Sequence, residues 1–252
     1  MNKAAIGRVF LETFEAAMKE ESFMRKDKVF HRVVNGKVVQ RLSYYKFIGS
    51  EITIEFSLWP LCAGYEYFNI MTGDRLCEIF RDIPNFNCEK YEDYIQYMTI
   101  ALEITKERLF PIFNSAIDYT NFLKHNKNSN SLHPMSHVRY MLDLFHGNYL
   151  ECQKIKEAKI KHWIESNQRK YGTNYHIIPE TEAKLDQERK DYYRMKEAME
   201  KGDRKTIEGY IHSQEQKSLN SYIKAFFSQK KYEKYQETGI LPFESVNICP
   251  TT

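Results

Sequence analysis

The sequence predicts an α+β fold: an N-terminal helix and an antiparallel β-meander, followed by a mostly α-helical C-terminal half with helical hairpins. Three observations predict it. Residues 3–21 repeat apolar side chains at helical spacing, and the period shortens to two across residues 29–58. From Tyr91 onward the helical period returns, broken by Gly-Asn and Gly-Asp pairs.

In the first segment Val9, Phe10, Phe14, Ala17 and Met18 form one stripe, while Glu12, Glu15 and Lys19 lie elsewhere on the surface. Val29–Val34 and Val38–Phe47 are rich in β-branched and aromatic residues and meet at Asn35-Gly36. That dipeptide tolerates positive φ at both positions and favours a type I′ hairpin. In a third strand Ile52, Ile54, Phe56 and Leu58 alternate with Thr53, Glu55, Ser57 and Trp59, so the first set should be buried against helices. A two-residue turn pairs Val34 with Lys37. It therefore puts Val33 opposite Val38, His31 opposite Gln40 and Val29 opposite Leu42 on one side. Phe30, Arg32, Val34, Lys37, Val39, Arg41 and Tyr45 take the other side. The first side is the less charged, so it is assigned to the core.

Pro60, Gly64 and Gly73 punctuate the next stretch, where Leu76–Phe80 fits a fourth strand or a short helix. Tyr91, Tyr94, Ile95, Met98, Leu102 and Leu109 form a helical stripe, and Pro111 should kink or restart the helix. The loop-like HNKNSNS stretch at 125–131 separates an α+β region, 1–125, from a helical region, 132–252, packed on it as a second domain or a continuation. Within the helical region Met141–Gly147 and Met195–Gly202 each precede an Asn or Asp that caps a new helix, giving two helical hairpins. A last helix runs near Ile207–Tyr235 and stops at Gly239–Pro242.

Composition narrows the function classes. The 18 Tyr and 16 Phe supply a ring-built core or a ring-lined binding surface. Net charge is +3 and the sequence pI about 8.4, short of the basic balance of a typical DNA-binding domain. The five cysteines, Cys62, Cys77, Cys88, Cys152 and Cys249, contain no C-x-x-C pair and suit a reducing, cytoplasmic setting. No apolar run is long enough to span a bilayer, so no membrane partner is expected. Dinucleotide, P-loop, zinc-protease and nucleophile-elbow motifs are absent, and no cofactor or metal is called for.

Several weaker constellations deserve weighing. His31 and Gln40, facing one another among apolar neighbours, read either as a satisfied core pair or as ligand contacts in a cleft, with Tyr44 further along the same strand. His133 and His137 stand four apart but lack a third ligand at metal spacing, which suits a solvated helix start. Pro179–Lys184 superficially resembles an E-x-K nuclease pattern, yet acids at a helix start need no catalytic reason. Residues 154–171 interleave bases with rings, so Lys156, Lys159 and Trp163 are candidate nucleic-acid contacts. A solvated helix whose Trp packs inward is the preferred explanation of them.

Residues 10–60 also carry a family likeness. Phe10 and Phe14 on a helix, Ser22-Phe23-Met24-Arg25-Lys26, Val29-Phe30-His31-Arg32, Val38-Val39-Gln40 and Ile52-Thr53-Ile54-Glu55-Phe56 together resemble the bacterial domain of unknown function 4304. Ser22-Phe23-Met24 stands where that family usually has glycine. The resemblance implies an α+β fold and a bacterial source, and no activity.

The leading functional expectation is a non-catalytic module that binds a protein partner or a small ligand; an immunity protein would fit that description, though no residue singles one out. A motif-poor enzyme with a pocket between sheet and helices comes second, with His31 as its acid or base. Weak nucleic-acid binding through 154–171 comes third.

Overall fold

The computed structural model describes residues 3–46, 51–63, 74–80, 82–83, 86–87, 90–112, 136–172 and 179–247. Its chain divides into two compact units, 1–133 with 217–252, and 134–216. The break near residue 133 follows the loop-like stretch at 125–131, which itself lies outside the described residues. Residues from Lys217 onward belong to the first unit.

The first unit begins with helix α1 (Lys3–Glu20), then strands β1 (Met24–Lys26), β2 (Val29–Val34), β3 (Val38–Lys46) and β4 (Glu51–Pro60). These four form an antiparallel meander in chain order. Short strands β5 (Asp74–Arg75) and β6 (Phe86–Asn87) also pair with β4. Leu76–Ile79 is a one-turn helix, α2. Helix α3 (Tyr91–Ile104) runs on through a π turn at Thr105–Leu109 into Phe110–Ile112. The wide turn falls just ahead of Pro111, which has no N–H to give and whose ring would crowd an α-helical carbonyl.

β1 was not expected as a strand. Its short turn onto β2 is made possible by Asp27, which takes a positive φ of 58°. The Asn35-Gly36 turn forms with both residues left-handed, at φ 52° and 63°, and Lys37 N–H donates to the Val34 carbonyl at 3.0 Å. The pairing beyond it differs from a simple two-residue hairpin, however. Val34 lies opposite Val38, so Arg32 faces Gln40, His31 faces Arg41 and Val29 faces Ser43. Lys37 is the extra residue, a bulge whose carbonyl accepts from Leu61 N–H. Meanwhile the outer edge of β2 is occupied. Asn35 N–H donates to the Val246 carbonyl and Val246 N–H donates to the Val33 carbonyl. The two Val-Val pairs at 33–34 and 38–39 satisfy either register, and contacts from distant chain decide between them.

The shift exchanges the faces of β2. Phe30, Arg32 and Val34 share the core side with Val38, Gln40 and Leu42 of β3 and with Ile54, Phe56 and Leu58 of β4. The last three are buried as their alternation requires; the side chain of Ile52 lies outside the described residues. Phe14 and Met18 of α1 and Tyr94, Tyr97, Met98 and Ala101 of α3 complete this core, with Phe14 edge-on to Phe30. Arg32 enters the core with its charge satisfied. Its guanidinium lies over the Phe23 and Phe110 rings at 4.6 and 4.3 Å, and donates to Gln40 Oε1 and the Glu21 carbonyl.

The second unit contains helices α4 (Ser136–His146), α5 (Tyr149–Tyr171), α6 (Pro179–Lys201) and the first part of α7 (Arg204–Phe226). Both predicted hairpin corners form, but only Asp203 caps with its side chain, accepting from Thr206 N–H, whereas Asn148 makes no side-chain cap hydrogen bond to α5. Gly147 and Gly202 are left-handed, and the following residues close the helix ends, Asn148 N–H onto Asp143 and Asp203 N–H onto Ala198. Tyr140, Met141, Leu144, Cys152, Met195 and Ile207 are the most buried apolar residues among those described in it. The predicted single helix over 207–235 is instead two. α7 ends at Phe226, and after Phe227-Ser228 a new helix, α8 (Gln229–Thr238), stops at left-handed Gly239.

Candidate ligand-binding site

With Arg32 and Gln40 on the core side, His31 projects from the opposite side of the sheet. There it meets the aromatic junction between α7 and α8. The His31 ring lies 5.5 Å from Tyr222, 4.7 Å from Phe226 and 6.5 Å from Phe227. Phe243 stacks on Phe227 at 5.5 Å and meets Tyr222 edge-on. Three residues later Val246 makes a parallel bridge to Val34 of β2, so one segment both bridges to the sheet and backs the rings.

Beside this cluster opens a cavity of about 410 Å³, lined by Met24, Arg25, His31, Phe226, Phe227, Ser228 and Lys231. Its volume falls in the range of small-molecule sites. His31 is 2% exposed and its Nδ1 is hydrogen-bonded to the Tyr222 hydroxyl. Burial drives the His31 pKa down from 6.5 to about 4, and the charges of Lys26 and Arg41 push the same way. Burial likewise raises the Tyr222 phenol far above its ordinary value. Both rings are therefore neutral near pH 7.

The cations around the cavity differ in their commitments. Arg25 pairs with Glu15 and donates to the Asp27 carbonyl. Lys26 donates to the Ala225 carbonyl in the last turn of α7, where a positive charge suits the helix dipole, and lies over Phe226. Lys231 sits 5.6 Å from the Phe227 centroid and has no acidic partner among the described residues. Ser228 starts α8 with its carbonyl, which accepts from Lys231 and Tyr232, while its hydroxyl makes no cap hydrogen bond.

The sequence-derived candidates scatter. His31 lines the cavity, but not through the predicted pairing with Gln40. Gln40 is fully buried on the other face, its Oε1 taken by Arg32 at 2.7 Å. A one-residue bulge separates them, and adjacent register positions point to opposite faces. Tyr44 lies opposite Ile54 in β3, and its side chain is outside the described residues.

Lys156 was expected on a nucleic-acid surface but is only 7% exposed, with its ammonium 4.7 Å from the Tyr140 ring centroid. Around it Lys154 pairs with Glu151, and both Lys161 and Arg169 pair with Glu165. These bases are largely matched within their own helix. The side chains of Lys159, Trp163 and His137 lie outside the described residues, as does His133 entirely. Among the described residues no three His, Cys, Asp or Glu side chains converge as a metal site. No helix there is long and apolar enough to cross a membrane.

No protein-family model matches this sequence, nor does any curated protein or solved structure. Sequence reasoning missed Met24, Arg25, Phe226, Phe227 and Lys231. One signal was present. Adjacent Phe226 and Phe227 cannot share one face of a continuous helix, and Ser228 after them is a strong helix-start residue.

Proposed function

We propose that the protein is a non-catalytic module that binds a small ligand in the cavity between β2 and the α7–α8 junction. The observation that carries this reading is the buried, neutral His31 on the cavity wall, held by Tyr222 among Phe226 and Phe227. Ligand sites combine apolar walls with a few fixed polar groups, and this cavity has that composition. The same observation disfavours proton-transfer chemistry. An imidazole held near pKa 4 is a weak base at neutral pH, and a phenol raised by burial is a poor acid. The family resemblance of residues 10–60 supplies no activity that would alter the reading.

A fluorinated fragment library screened by ¹⁹F NMR, with native mass spectrometry for co-purified molecules, tests it. Binders should appear for the wild type and weaken at least tenfold in Met24→Trp, which fills the cavity from β1, while circular dichroism stays unchanged. Hits indifferent to Met24→Trp, or none from either method, would contradict it.

A further inference from the structure

The cavity's lining also restricts what it can hold. Of its seven residues two are cationic, Arg25 and Lys231, and none is acidic. Arg25 is already neutralised by Glu15. Lys231 is not, since no acidic side chain pairs with it among the described residues, and its ammonium lies 5.6 Å from the Phe227 ring centroid. An ammonium beside an apolar wall attracts a negative charge that can sit at the cavity mouth while an apolar body lies inside. Two further groups favour the same polarity. Ser228 presents a hydroxyl not used in capping, at the start of a ten-residue helix whose dipole is positive there. His31, with Nδ1 engaged by Tyr222, has Nε2 as the ring nitrogen left to meet a ligand, and in the Nε2–H tautomer it donates. Lys26, committed to the Ala225 carbonyl, adds to the positive potential without being needed as a contact.

Resting on the ligand-binding reading above, we infer that the ligand is a small organic acid, an apolar ring carrying one carboxylate. The carboxylate meets Lys231 and Ser228, and the ring lies against Met24, Phe226 and Phe227. The rings and thioether of this wall suit a planar body, because offset stacking and sulfur–ring contacts reward flat faces. A cationic ligand is opposed by Lys231, whose charge no neighbouring carboxylate among the described residues cancels.

The test compares 2-naphthoate with its neutral isostere 2-naphthamide by isothermal titration calorimetry on the full chain, repeated in Lys231→Met. Lys231 is exposed, so the variant should fold, and circular dichroism checks that it does. The expected result is at least tenfold tighter binding of naphthoate by the wild type. In Lys231→Met that preference should fall to threefold or less, with naphthamide affinity unchanged. Equal affinities in the wild type overturn the inference but leave a ligand cavity. So does a preference that survives in Lys231→Met, since the anion then sits elsewhere. If neither compound binds while other library fragments respond to Met24→Trp, the acid class is wrong and the site stands. If nothing binds at all, both readings fall.

Discussion

Lowering the pH should destabilise this fold through His31, and the size of the effect follows from its environment. The unfolded chain binds a proton on this imidazole at about pH 6.5, whereas the folded chain does so only near pH 4. Between those values the unfolded state holds more protons, so stability rises with pH across the window and is level above it. Each pH unit is worth about 1.4 kcal/mol. The interval therefore amounts to roughly 3 kcal/mol, a large share of a typical domain's total of about 5–15 kcal/mol. Other groups titrate at the acid end, among them Glu15 and Asp82, whose carboxyls are held low by Arg25 and Arg108. The comparison must accordingly be differential. Urea unfolding followed by tryptophan fluorescence at pH 7, 6, 5 and 4 is recorded for the wild type and for His31→Gln, which keeps a polar group near Tyr222 but does not titrate. The wild type should lose about 3 kcal/mol more than the variant on going from pH 7 to 4. Parallel curves, or an NMR titration placing the His31 pKa at 6.5 or above, would refute the reasoning.

Two other substitutions test the core and the turn. Arg32→Ala removes a buried cation from between two rings and deletes the donor to the Gln40 Oε1 and the Glu21 carbonyl, so denaturant unfolding should show a loss of about 3 kcal/mol. Gly36→Ala meets no atom within 4 Å but must adopt a φ of 63°, so its cost of about 1 kcal/mol in a thermal melt should come from backbone strain alone.

Legibility in the sequence followed the range of the interactions. α1, the three long strands, the α3 stripe and both Gly-cornered hairpins were set by local periodicity and caps, which are written in neighbouring residues. The faces of β4 were legible for the same reason, since Ile54, Phe56 and Leu58 alternate with polar partners. The register of β2 on β3 was not. Val33-Val34 and Val38-Val39 are interchangeable in hydrophobic terms, and the choice depends on Leu61 and Val246, the latter some two hundred positions away in the chain. That single bulge put His31 and Gln40 on opposite faces. It also explains how a charged residue, Arg32, occupies the core side: Phe23, Phe110 and Glu21 neutralise its cost, and none adjoins it in sequence. The candidate cavity was legible only through His31, because its other walls come from β1, a three-residue strand, and from a helix break that a continuous stripe concealed.

The most direct measurement uses Met24, whose side chain lines the cavity. With all nine methionines carrying ¹³C-methyl labels, a fragment that binds by ¹⁹F NMR is titrated into the protein and the methyl spectrum recorded. The account predicts a saturable shift of the Met24 resonance, assigned by Met24→Leu, while the fully buried Met18 and Met195 stay in place. Saturable shifts confined to other methionines, with Met24 unmoved, would contradict it.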